Sequence, residues 1–343
     1  MTTTRTRRAI AATLAAVTAV ATVTFTAGTA GAVGIQPLVD RPGDVARSTV
    51  SAAGQERAAG YWTPERLEAA QPGDLLLAGR DLGEATGEVL KGAEKVVRGT
   101  AATTGGLLGL DLLAADGGGE LYEGGGRVVR TTGKVFFTLG GVNYQCSGSS
   151  VVAGSESLVQ TAGHCLNEGP GEFATNVVFI PQYRDGAAPF GQFTATELFT
   201  TEQWRTAGDL DYDVGYAKVG TANGSTLADA VGAQGIGFNL ERGEEMYAFG
   251  YPAAAPYDGS KLAWCFGTVA ADPLGSSDQG LTCDMTGGSS GGPWFIDYDP
   301  AAGIGTLNSL NSFKYTVPLF GGRMYGPYFG SVVEQLYTTA AAA

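Results

Sequence analysis

From Arg127 onward the chain is cut into short apolar or alternating runs by glycine-bearing turns, and that spacing limits what it can fold into. Residues 135–139 and 142–146 flank Gly140-Gly141, the kind of pair a two-residue hairpin turn requires. Further strand-like runs occur at 149–153, 158–161, 176–180, 214–219, 245–249 and 303–310. No helix-length segments alternate with them, which excludes a βαβ architecture and favours an antiparallel barrel or sandwich. With 54 glycines among 343 residues, tight turns of this sort can be made throughout. Residues 332–338 read as a short terminal helix that turns Val333, Leu336 and Tyr337 inward.

The N-terminal third has a different character. Arg5, Arg7 and Arg8 precede an apolar stretch over 9–25, and Ala30-Gly31-Ala32 fits a small-residue cleavage site. Residues 1–32 are therefore expected to be a signal peptide, the stretch being short and threonine-interrupted for a membrane anchor. Residues 33–127 carry no cysteine and include Arg41-Pro42-Gly43-Asp44 and Gln71-Pro72-Gly73-Asp74. They read as a partly helical pro-segment or accessory region. One helix is expected from Thr63-Pro64-Glu65, where Thr63 caps and Pro64 suits the first turn. A second is expected over 83–98, with Val89, Leu90, Ala93, Val96 and Val97 at helical spacing. Gly117-Gly118-Gly119 and Gly124-Gly125-Gly126 read as a flexible connection to the domain at 128–343.

Charge narrows the partners. Removing residues 1–32 takes away three arginines and no acid, leaving 18 basic against 34 acidic residues and a net charge of −16. Such a chain repels nucleic acid and anionic membrane, whose phosphates need Lys and Arg, and attracts basic polypeptides. Cys146, Cys165, Cys265 and Cys283 make an even set, as expected of disulfides in a secreted, extracellular protein. Three pairings are open; the sequence-local one would close two loops of roughly 20 residues, each stabilising by ~3 kcal/mol. The cysteines show no close pairs for zinc, no loop has the ligand spacing of a calcium site, and no metal or cofactor is expected.

The one histidine, His164, sits in Thr161-Ala162-Gly163-His164-Cys165, and Gly287-Gly288-Ser289-Ser290-Gly291-Gly292-Pro293 lies well downstream. Histidine is the usual base for activating a serine near neutral pH. Between them, Asp213 stands at the mouth of an apolar strand, with Asp209 and Asp211 as nearby competitors. Each fragment alone has an ordinary explanation: a packed core histidine, a strand-start aspartate, a flexible glycine loop. Gly288-x-Ser290-x-Gly292 also fits the nucleophile elbow of lipases and esterases, but those enzymes place their histidine after the serine, and none follows Ser290.

Together and in this order, the three fragments resemble those of the chymotrypsin/trypsin-like serine proteases, the bacterial secreted branch in particular. The resemblance covers residues 128–340. It implies an all-β fold of two six-stranded antiparallel β-barrels with a short C-terminal helix. It implies a serine endopeptidase acting on polypeptides as a monomer, with His164 as base, Asp213 as orienting acid, Ser290 as nucleophile, and the backbone N–H groups of Gly288 and Ser290 as oxyanion hole. It also implies substrate contacts by Asp284, six before the nucleophile, Ser309, nineteen after it, and Asn311, with a preference for Arg or Lys if Asp284 forms a buried pocket floor. The alternative is a catalytically silent binding protein on the same scaffold. Two departures stand out. Ser289 occupies the place where the family carries an activating aspartate, and Thr131-Thr132-Gly133 replaces the usual new N-terminus. Activation by an ion-pair switch is thus not expected; residues 33–130 are expected instead to assist folding or block the cleft, and to be removed near Arg127 or Arg130.

Overall fold

In the computed structural model, which describes residues 1, 45–80, 89, 91–101, 117–316 and 321–343, the N-terminal segment from Val45 belongs to the same compact unit as the later strands. The expected signal peptide at 1–32 lies outside the described residues, Met1 excepted. The segment begins with β1 (Val45–Thr49), α1 (Ala52–Tyr61), α2 (Pro64–Glu68) and β2 (Gln71–Pro72). Thr63 caps α2 by accepting from the Arg66 N–H, and Pro64 opens the helix, as its sequence predicts. A single 3₁₀ turn comes next at Gly73–Leu77. The helix expected over 83–98 is corrected where it is described: Lys95–Val97 is a strand, β3. Its pairing partner, Gly235–Phe238, supplies hydrogen bonds that residue spacing alone cannot reveal. The connection expected to be flexible contains β4 (Gly117–Leu121).

After the short α3 (Arg127–Thr131) come β5 (Thr132–Leu139) and β6 (Val142–Val151), joined at Gly140 and Gly141 with φ of 55° and 81°. Both values are positive, as the tight hairpin turn demands. Next come β7 (Leu158–Thr161), β8 (Thr175–Pro181), β9 (Phe193–Thr201), α4 (Glu202–Ala207) and β10 (Gly215–Val219). Their order, β9-β10-β7-β6-β5-β8 with β8 also paired to β9, closes a six-stranded barrel. Phe136, Phe179, Phe193, Phe199 and Tyr216 fill the core that it shares with its surroundings. β1 lies outside this closed ring as an extra antiparallel strand on β9.

The second half holds α5 (Leu227–Val231), β11 (Gly235–Phe238), β12 (Glu245–Gly250), β13 (Ala263–Thr268), β14 (Ala270–Ala271), β15 (Gln279–Thr282), β16 (Pro293–Asp299), β17 (Ile304–Leu310) and β18 (Arg323–Gly326). One sheet runs β3-β11-β17-β16-β12-β13-β4, and β14-β15-β18 form a smaller one. Pairing is antiparallel except between β11 and β17. The chain ends in α6 (Ser331–Ala342), which buries Val333, Leu336, Tyr337 and Ala340. The sequence-local disulfides are formed. Cys146–Cys165 ties β6 to the turn carrying His164, and Cys265–Cys283 ties β13 to the end of β15. No helix among the described residues is long and apolar enough to cross a membrane.

Candidate active site

His164 lies in a 3₁₀ turn (Gly163–Cys165) at the end of β7, locked against β6 by the Cys146–Cys165 bond. Asp213 ends a second 3₁₀ turn (Leu210–Tyr212) just before β10, which pairs with β7. The pairing brings the two side chains together. The His164 ring donates through Nδ1 to Asp213 Oδ2 at 2.7 Å, and the His164 backbone N–H donates to Oδ1 at 2.7 Å. A third donor, the Ser312 hydroxyl, reaches Oδ2 at 2.6 Å. Asp213 is 0 % exposed and His164 1 %. Burial alone would raise the Asp213 carboxyl, but the His164 charge and the hydrogen bonds from His164 and Ser312 outweigh it and hold the group below the usual carboxylate range. The carboxylate therefore stays ionised, and because it accepts at Nδ1 it leaves the other ring nitrogen, Nε2, with its lone pair free. Nε2 is buried and, among the described residues, has no hydrogen-bond partner, the Ser290 hydroxyl included.

The competing acids have other tasks. Asp209 caps the turn through the Asp211 N–H at 3.2 Å. Asp211 accepts from the Ser277 N–H at 2.8 Å, and burial pushes its carboxyl up to about 6. The sulfurs of Cys146 and Cys165 and a His164 nitrogen lie within 4.8 Å of one another, but both sulfurs are spent in a disulfide and offer no thiolate to a metal.

Ser290 is 3 % exposed and sits in a loop whose backbone is held from several sides. Ser147 N–H donates to Ser290 O at 2.7 Å, Gly291 N–H donates to Asn311 O at 2.7 Å, and Ser147 Oγ donates to Gly288 O at 2.9 Å. Gly288 has φ of +93°, a left-handed conformation that favours glycine, and a Cβ there would meet Ala253 Cβ at 2.8 Å. Among the described residues, the N–H groups of Gly288 and Ser290 donate to no protein acceptor. Two such amides in one braced loop can serve a developing oxyanion. Ser289, the alternative nucleophile, instead donates to Thr286 O at 2.8 Å.

Ser290, Ser289, Gly287, Thr286, Ser312 and Lys314 are among the residues lining a cleft of ≈ 420 Å³. The substrate-contact residues expected from the sequence do not line it. Asp284 is exposed, where Tyr257 Oη donates to its Oδ1 at 2.7 Å. Ser309 is buried and donates to Pro327 O at 2.8 Å. Asn311 is buried and braces the nucleophile loop, its Nδ2 donating to Ser289 O at 3.0 Å. The serine that meets the triad carboxylate is Ser312. It lies just beyond the end of β17 (Ile304–Leu310). A half-buried lysine, Lys314, stands in the cleft two residues further on. Burial lowers its ammonium pKa, and the charge of Asp284 opposes that shift.

Comparison with known proteins identifies the family and the fold. Residues 146–304 match the family described as the trypsin-like peptidase domain. The solved structure of the protease Anisep from Arthrobacter nicotinovorans is 48% identical; its match covers 66% of this chain and 100% of that one, with a TM-score of 0.60. The thermostable serine protease AL20, from an extremophilic microorganism, is 43% identical over 63% of this chain and 99% of its own, also at 0.60. A Glu endopeptidase shares the fold at 19% identity and a TM-score of 0.53. A curated relative, named an extracellular metalloprotease of Bacillus subtilis (strain 168), is 25% identical over 160 residues, and the chain spans 47% of its length.

Proposed function

Because this chain belongs to the trypsin-like serine proteases, we propose that it is a secreted endopeptidase that cuts polypeptides through an acyl-enzyme on Ser290. The observation that carries the reading is the orientation of His164: its Nδ1 is engaged by an ionised, fully buried Asp213, while Nε2 is left without a partner. That tautomer can take the Ser290 proton as the hydroxyl attacks and return it to the leaving amine. Ionised Asp213 compensates the imidazolium formed in between. The oxygen of the tetrahedral intermediate would lie on the Gly288 and Ser290 N–H groups. Water, activated by the same imidazole, would then release the acyl group.

The two disulfides fit an oxidising, extracellular compartment. A preference for Arg or Lys before the cut bond would rest on Asp284. Exposed, that carboxylate meets a basic side chain at high dielectric, and the Lys314 ammonium in the cleft opposes one. The experiment is cleavage of a mixed peptide library by the wild-type chain and by Ser290→Ala. Cleavage by the wild type that is lost in the variant supports the reading. Equal cleavage by both, or none by either after the N-terminal segment is removed, refutes it, the second result favouring a silent binding protein.

A further inference from the structure

One wall of the cleft is supplied by the N-terminal segment. Asp74, Leu75, Leu77, Ala78, Gly79 and Arg80 line the same ≈ 420 Å³ cleft as Ser290. Asp74 comes so close to the nucleophile loop that a Cβ on Gly287 would lie 2.5 Å from its Oδ2, and its Oδ1 is buried without a partner. The carboxyl is raised by burial, while the charge of His164 acts in the opposite direction, which places Asp74 within electrostatic reach of the base.

The flanks of Asp74 are anchored. Leu77 is buried with Trp204, Leu210, Phe313, Tyr315 and Tyr325. Arg80 donates to the carbonyls of Glu168 and Gly169 and lies over the Trp204 ring at 5.0 Å. Trp204 in turn packs its ring 6.2 Å from that of His164. Upstream, β2 pairs with β6 at Tyr144 and Gln145, and Trp62 packs on Phe136 while donating to Asn176 O at 2.6 Å. Upstream still, β1 adds to β9 over five residues.

None of this is needed to close the barrel, whose six strands β5 to β10 complete their own ring. The two relatives above 40% identity are matched over 99–100% of their length by about two thirds of this chain, so about a third of it has no counterpart in them.

We infer that residues 45–80 are a docked inhibitory module whose receptor is the chain's own substrate cleft, with Asp74 as the plug that keeps polypeptide off the nucleophile loop. A carboxylate suits this place, because its charge and resonance make its carbon a poor target for the serine it blocks. The separation point is also constrained. Cutting at Arg127 or Arg130 would detach β4 from β13 and break into α3, where Val128 is fully buried and Arg127 N–H donates to Ala302 O at 2.9 Å. Release of the module from the catalytic part therefore calls for a break before β4.

The inference rests on the peptidase reading, and two measurements on the full chain separate the two. The first is the rate of labelling by a fluorophosphonate in wild type, Asp74→Ala, Asp74→Ala/Arg80→Ala and Ser290→Ala, each checked for folding by its melting curve. The double variant should label at least tenfold faster than wild type, with Ser290→Ala silent. Equal rates in wild type and double variant, with Ser290→Ala silent, overturn the inference and leave the peptidase intact. Labelling no faster than Ser290→Ala in every form removes the peptidase and the inference together. The second is hydrogen exchange over residues 73–80 of the wild-type chain, which needs no activity. Protection lost in the double variant supports docking; exchange in wild type at the rate of an unfolded peptide overturns it.

Discussion

Replacing Asp213 by Asn should disable His164 while leaving the fold in place. The two side chains have the same shape, but Asn has one acceptor oxygen where Asp has two. The His164 backbone N–H donates to Oδ1 at 2.7 Å, so the amide oxygen must take that position or leave two donors facing each other in a buried site. The amide nitrogen then faces His164 Nδ1 and the Ser312 hydroxyl, and donates to both. The Ser312 hydroxyl proton loses its acceptor and the proton moved to Nε2 meets none among the described residues, so stability should fall by about 1–3 kcal/mol without unfolding the chain. The imidazole, however, now accepts at Nδ1 and carries its proton on Nε2, so it cannot take one from Ser290. Its cation would also lose the adjacent negative charge. General-base catalysis contributes roughly 10²–10⁴-fold, and in this family the corresponding change costs about 10⁴ in kcat. We expect kcat to fall by about 10³–10⁴-fold, which is about 4–5.5 kcal/mol of transition-state stabilisation. KM should hold to within about threefold, since Asp213 lines no part of the cleft. Steady-state hydrolysis of a peptide amide, beside a thermal melt, reads both quantities. A loss below tenfold in a correctly folded variant would refute the tautomer argument.

Two further perturbations test other parts of the structure. Lys134 is 2 % exposed, donates to Gly259 O at 2.8 Å, and burial lowers its ammonium to about 7. The unfolded chain then binds the extra proton between pH 7 and 10, so stability rises with pH across that window. Relative to Lys134→Met, wild-type stability should gain about 2 kcal/mol or more from pH 7 to 10, read by denaturant titration; a flat difference would refute it. Gly288→Ala places a Cβ at φ of +93° and against Ala253, so it should cost about 1–3 kcal/mol in stability and lower kcat at least tenfold; unchanged kcat would deny that loop its role at the oxyanion.

The parts legible in the sequence are those written in contiguous residues. His164, Asp213 and Ser290 each stand in a short run whose chemistry requires those residue types, and Gly140-Gly141 spells out its own turn. The free Nε2 and the two unpaired amides are arrangements that only the fold brings about. Ser312 was hidden because only the fold carries the residue after β17 to the Asp213 carboxylate, 99 positions earlier in the chain. Its signal was a serine at the end of a strand, beside the aromatic Phe313. Asp74 was hidden more deeply. Gln71-Pro72-Gly73-Asp74 reads as any polar turn, and nothing local marks its carboxylate as facing a cleft built from residues about 210–250 positions away. At Lys95–Val97 the residue spacing pointed to a helix, but an available edge at β11 decided the outcome.

Prolonged fluorophosphonate labelling of the full chain, followed by peptide mapping, tests most directly whether an activated serine exists and which one it is. The phosphonyl mass should fall on Ser290 and vanish in His164→Ala. An adduct on Ser289 or elsewhere, or labelling of Ser290 undiminished without His164, would contradict the arrangement of base and nucleophile on which the catalytic assignment depends.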